Sequence, residues 1–165
     1  MLKLKLAAIF LLITLLNIPT AVFALQKGEP FPALSGKTLT GENFNFSNLK
    51  GQPILLKVGT TWCPTCGQQS EEINQLHDFI VENKIKFVEV FIQESPKAVI
   101  KNFSKSGHHN PDVIIMDQGK IASKLNIYLI PRIVLIDKDF NIYRDGEPLP
   151  KETLQQELQK MMAGN

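Results

Sequence analysis

Cysteine is scarce in this sequence: the 165 residues hold two, alongside one tryptophan and three histidines. The two cysteines, Cys63 and Cys66, stand three positions apart. A disulfide between them closes a loop too short to remove much entropy from the unfolded chain, which argues against a structural staple. Two of the histidines, His108 and His109, are adjacent but have no third ligand nearby in the sequence, which argues against a metal site. Internal repeats and low-complexity segments are lacking. So is a long apolar run: Leu6 to Leu16 falls short of the roughly 20 residues that span a bilayer. With 44% hydrophobic residues, the chain is long enough for one core and too short for two comfortable ones, so a single domain is expected.

An excess of charge is also lacking once the N-terminus is set aside. Lys3 and Lys5 make a basic start, Leu6 to Leu16 is apolar, Asn17 to Thr20 is a polar break containing Pro19, and Val22-Phe23-Ala24 has the character of a small-residue cleavage site. Residues 1–24 therefore read as a signal peptide cleaved after Ala24, with an uncleaved anchor over Leu4 to Ala24 as the alternative. Residues 25–165 are the domain. Losing Lys3 and Lys5 brings the 18 basic residues level with the 16 acidic ones, and a neutral chain offers no electrostatic case for nucleic acid. Export to a periplasm or cell envelope places the thiols in an oxidising compartment, where an isolated pair needs a partner to keep it reduced.

What the chain does have is Thr60-Thr61-Trp62-Cys63-Pro64-Thr65-Cys66, set between the apolar run Ile54 to Val58 and a helical pattern. A Cys-x-x-Cys pair joining a strand to a helix reads as a redox site. The amides and dipole of the helix N-terminus favour a thiolate on Cys63, and Cys66, one turn in, is placed to attack any mixed disulfide formed there.

In chain order, Leu25 to Leu34 is a Pro-rich lead-in, and Lys37 to Phe46 reads as two short strands about Gly41, with Phe44 and Phe46 on one face. Ser47 to Gly51 reads as a turn of helix. Ile54 to Val58 is apolar at every position but Lys57, as expected of a strand covered on both faces. One helix is expected from about Cys63 to Glu82, with Ile73, Leu76, Ile80 and Val81 on its apolar stripe and His77 packed beside them. Lys86 to Gln93 is a second strand; Ser95-Pro96 caps a helix that runs to Gly107. Val113 to Met116, Arg132 to Asp137 and Asn141 to Arg144 are further strands, Gly119 to Leu125 a short helix, and a last helix starts near Lys151 with Leu154, Leu158 and Met161 inward. This alternation implies a mixed sheet with helices on both faces and puts Cys63 at the carboxyl end of a central strand.

Trp62-Cys63-Pro64-Thr65-Cys66, the upstream Asn48 to Leu56, and the later Leu129-Ile130-Pro131 followed by Leu135-Ile136-Asp137 resemble the exported TlpA-like thioredoxins, including the cytochrome c maturation (DsbE) type, whose Cys-Pro-Thr-Cys is matched. The resemblance covers roughly Gly28 to Leu158. It implies a thioredoxin-like three-layer α/β sandwich, with a mixed central sheet, helices on both faces and an N-terminal β-hairpin. It also implies a thiol-disulfide oxidoreductase that needs no cofactor and no metal, acts on exported protein thiols and disulfides as a monomer, and draws on a membrane electron-transfer partner. Pro131 would follow a cis bond beside the disulfide, and the backbone of Ile130 would pair with the substrate chain as a short strand. Three positions depart from the family pattern. Gln69 stands where reductive members carry Glu, Lys57 where most thioredoxins carry Asp and TlpA-like proteins often Asn, and Arg132 where Thr usually follows the cis-proline. All three make the surroundings of the sulfurs less acidic.

The leading expectation is reductive exchange, in which Cys63 attacks a partner disulfide and Cys66 resolves it. The same chemistry can run as an oxidant, since stabilising a thiolate raises the reduction potential, and positive charge from Lys57 and Arg132 favours that direction. Thr60-x-x-Cys63 echoes a peroxidase motif, but Leu56 replaces its proline. From a different class, both thiolates with His108 or His109 could serve a metal-binding chaperone. Lys57 has two expected effects if it lies beneath Cys66: its charge favours thiolate, and its neutral form could accept the Cys66 proton.

Overall fold

The computed structural model describes residues 25–107 and 111–164. The expected leader and the His108-His109 pair lie outside the described residues. Seven strands form one mixed sheet: β1 Ser35–Thr38, β2 Asn43–Asn45, β3 Ile54–Gly59, β4 Lys86–Ile92, β5 Val113–Asp117, β6 Arg132–Ile136 and β7 Ile142–Gly146. Their order is β2-β1-β5-β4-β3-β6-β7. β3, β4 and β5 are parallel, while β6 and β7 on one flank and the β1-β2 hairpin on the other run antiparallel to their neighbours. Among the described residues five α-helices cover it: α1 Pro64–Asn74, α2 His77–Glu82, α3 Pro96–Ser106, α4 Lys120–Lys124 and α5 Lys151–Ala163. This is the three-layer thioredoxin-like sandwich. Among the described residues no helix is long and apolar enough to cross a membrane.

Alternation along β3 sorts its side chains between two interiors. Ile54, Leu56 and Val58 enter one core with Val88 and Val90 of β4, Val134 and Ile136 of β6, Ile121 of α4, and Phe46. Phe44 of the hairpin meets Phe46, which opens the short 3-10 turn Phe46–Leu49 just after it, edge to face with ring centroids 5.5 Å apart. On the opposite face Leu55 joins Ile133 and Leu135 beneath α1, α2 and α5, whose Leu154, Leu158 and Met161 point inward. Phe91, Met116 and Val99 of α3 form a separate, smaller cluster on that second face.

The expected helix from Cys63 to Glu82 is two helices. It breaks at Gln75 and Leu76, where the Leu76 amide reaches back only three residues, to the Ile73 carbonyl at 2.9 Å. Ile73, Leu76 and Ile80 stay buried on one stripe across the break, and Val81, expected on that stripe, is left exposed. His77 opens the second helix and is half-buried.

Candidate active site

Cys63 is the N-cap of α1, with Pro64 at the first helical position. A proline there gives up an amide the helix could not use and leaves later ones pointing at the cap. The Cys66 amide donates to Cys63 Sγ at 3.3 Å, and Thr65 Oγ1 lies 3.2 Å from the same sulfur. Burial acts to raise the pKa of Cys63, but the hydrogen bonds from the side chains and amides of Cys66 and Thr65 outweigh it and leave the thiol below its ordinary 9.0. Cys66 is the opposite case, only 1% exposed against 9% for Cys63. Burial first, then the hydrogen bond with Cys63, push its thiol up to about 12, with the Thr60 amide and the Lys57 charge pulling weakly the other way. The sulfur is packed hard against β3, since a Cβ on Gly59 would come within 3.0 Å of Cys66 Sγ. Both cysteines are free thiols.

Lys57 lies under this pair and is 2% exposed. Its ammonium is neither solvated nor free: it forms an ion pair with Glu89 and donates to Ser70 Oγ at 2.7 Å. Glu89, also 2% exposed, stands opposite Lys57 in the β3–β4 register. A cavity of about 420 Å³ between α1, α2 and α3 is lined by Cys66, Lys57, Ser70, Glu89 and His77 among others. Sequence reasoning named Lys57 and missed Glu89. The signal available was a charged residue inside the otherwise apolar Val88 to Ile92 of a central strand.

Gln69 is buried, and its carboxamide is taken up by the backbone of Leu149. Its Nε2 donates to the Leu149 carbonyl at 3.1 Å, and its Oε1 accepts from the Leu149 amide at 2.6 Å. Arg132 is likewise compensated: Nε and Nη2 donate to the two carboxylate oxygens of Asp145 at 2.6 and 3.0 Å, and the Asp145 side chain is fully buried. Both cations meet carboxylates, Glu89 and Asp145, that lie far away in sequence. A third carboxylate holds the loop itself, since Glu94 Oε1 accepts from the Thr61 amide at 2.5 Å and from Thr61 Oγ1 at 2.7 Å.

The Ile130–Pro131 peptide bond is cis. Arg132 pairs with Val58 in the antiparallel β3–β6 register, which brings Pro131 level with Gly59 and hence beside Cys66. Trp62, Tyr128 and Leu129 are largely exposed at this end of the sheet. Among the described residues no group of three or more His, Cys, Asp or Glu side chains is placed to hold a metal ion.

The Redoxin family model matches residues 26–159. Sporulation thiol-disulfide oxidoreductase A of Bacillus subtilis is 27% identical over 123 residues, covering 73% of this chain and 74% of that protein. The thiol:disulfide interchange protein DsbE of Yersinia pestis is 30% identical over 146 residues, covering 85% and 74%. Among solved structures, a thioredoxin-family thiol:disulfide interchange protein from Chlorobium tepidum superposes with a TM-score of 0.69 at 22% identity, covering 82% of this chain and 97% of that one.

Proposed function

From the premise that the chain belongs to the Redoxin family, within it to the TlpA-like, DsbE-type thioredoxins, and is a protein thiol-disulfide oxidoreductase, we propose that it reduces disulfides of exported proteins in the cell envelope. The observation that carries the exchange chemistry is the inequality of its two sulfurs. Cys63 keeps 9% of its surface open and has its thiolate favoured by hydrogen bonds, whereas Cys66, at 1%, is shut in and keeps its proton. Cys63 is then the nucleophile: its thiolate attacks a partner disulfide, one partner sulfur leaves as thiolate, and a mixed disulfide remains. Cys66 loses its proton and attacks Cys63, releasing the second partner sulfur and closing Cys63–Cys66. The backbone of Ile130, level with the redox turn, pairs with the substrate chain.

Ion pairing weakens the charge argument for the opposite direction. The oxidant reading drew on Lys57 and Arg132 as cations near the sulfurs, and each is compensated by a buried carboxylate. Residues 1–24, read as an export signal, support a position outside the cytoplasm, where a membrane donor would supply electrons for continued turnover. Thiol-specific mass tagging of the chain in its own cells tests the direction. A reductant is held as the dithiol, and a steady-state population dominated by the Cys63–Cys66 disulfide overturns the assignment.

A further inference from the structure

The apolar packing on one face of the sheet is split, and the split is charged. Leu55 and Phe87 pack toward α1, α2 and α5, and Phe91 packs toward α3. Between them Lys57 and Glu89 face each other across adjacent strands. Cys66 lines the same cavity as this pair. The Lys57 ammonium is tied on two sides, to Glu89 and to Ser70 Oγ, whose own hydroxyl donates to the Cys66 carbonyl at 3.2 Å. One buried cation thus has two possible anionic partners. The Glu89 carboxylate is always present, and the Cys66 thiolate exists only while a mixed disulfide is being resolved.

We propose that Glu89 is a positioning residue that holds the Lys57 ammonium on its own carboxylate and so sets how long the mixed disulfide on Cys63 survives before Cys66 attacks it. The proposal rests on the reading of Cys63 as nucleophile and Cys66 as resolver, and deepens it. In the step concerned, the Cys66 proton goes to solvent, the thiolate attacks Cys63 Sγ, and the Cys63–partner bond breaks. The partner then leaves as a thiolate carrying the electron pair. A bare ammonium in a cavity of low dielectric favours that thiolate strongly. Paired with a carboxylate, it acts only as a dipole, whose field falls off faster, and Cys66 stays a thiol for longer. The other titratable groups on the cavity are His77 from α2, Lys84, and the Lys86–Asp112 pair. Lys86 stands opposite Ile54, at the far end of β3 from Cys66.

The two members of the pair should therefore act with opposite sign, which a purely structural role does not produce. The test uses the reduced full chain and 5,5′-dithiobis(2-nitrobenzoate) in stopped flow at neutral pH. Attack by Cys63 releases one coloured thiolate, and resolution by Cys66 releases a second. Glu89→Gln should speed the second release by about threefold: a thiol pKa one unit lower gives about tenfold more thiolate, partly offset by its weaker nucleophilicity. Lys57→Met should slow it by a similar factor, and the double variant should fall between the two. Glu89→Asp, which retracts the carboxylate by one methylene, gives the sign of the Gln variant if that variant does not fold. Both single variants moving the second release in one direction, or neither moving it, overturns the proposal while a biphasic wild type leaves the redox couple standing. A wild type without the second release, or the same release from Cys66→Ala, overturns the couple and this proposal with it.

Discussion

The carboxamide of Gln69 closes two hydrogen bonds on the backbone of Leu149, donating to its carbonyl and accepting from its amide. It joins α1 to the segment that leads into α5, and only a group that both donates and accepts can do so. Ionised Glu at this position keeps the acceptor, loses the donor and buries a charge. Gln69→Glu should therefore destabilise the fold by about 1–3 kcal/mol near neutral pH. The deficit should shrink in acid, where a protonated side chain donates again. Urea unfolding at two pH values checks this, and a deficit independent of pH would show that the Leu149 contact is not what Gln69 contributes.

Removal of the resolver should trap partners. Cys66→Ala retains the hydrogen-bonded, more accessible Cys63 and should accumulate mixed disulfides through it; Cys63→Ala leaves a sulfur only 1% exposed, whose burial holds its proton, and should not. Non-reducing gels of cells carrying each variant make the comparison. Equal trapping by both would reverse or erase the division of labour between the two thiols.

Much of this site could be read before folding, and the reason is that its parts are close in sequence. The strand Ile54 to Val58, the turn at Trp62 and the cap at Cys63 follow each other directly, so propensity and spacing carry them. The charge environment could not be read that way. Lys57 meets Glu89 because β3 and β4 align in one particular register, and Arg132 meets Asp145 because β7 folds back on β6. Neither pairing leaves a local pattern. The helix break at Gln75 was hidden for a different cause: no Gly or Pro marks it, and the apolar stripe of Ile73, Leu76 and Ile80 runs through it uninterrupted.

Glu94 gives a prediction about the redox loop. Its single oxygen takes both the amide and the hydroxyl of Thr61, two residues before Cys63. Glu94→Ala should cost about 1.5–3 kcal/mol, the range for hydrogen bonds to a charged group, and should slow alkylation of Cys63 by loosening the turn that aims it. Glu94→Gln keeps an acceptor oxygen and should recover most of both losses. Urea unfolding and iodoacetamide kinetics on the three proteins decide it. If the Gln variant behaves like Ala, the carboxylate acts by its charge and not by holding Thr61.

The last prediction is a loss of stability in alkali that belongs to one thiol. Unfolded, Cys66 ionises near its ordinary 9.0; folded, burial above all and then the hydrogen bond with Cys63 hold its proton until about 12. Between those values the folded chain binds more protons than the unfolded one, so stability must fall as pH rises, by at most about 1.4 kcal/mol per pH unit. Cys63 has the reverse sign. Its lowered value contributes stability above the unfolded pKa that is lost as pH falls through the folded one, so it cannot mimic the alkaline loss. Lysines and tyrosines also titrate in this range, which makes the comparison a difference. Reduced protein should lose stability relative to the oxidised form of the same chain from about pH 9 upward, because the disulfide leaves no thiol to ionise. Cys66→Ser under reducing conditions should follow the oxidised protein. Parallel curves for the reduced and oxidised chains would mean that Cys66 ionises in the fold as easily as in water, and the resolving thiol would then need no help in losing its proton.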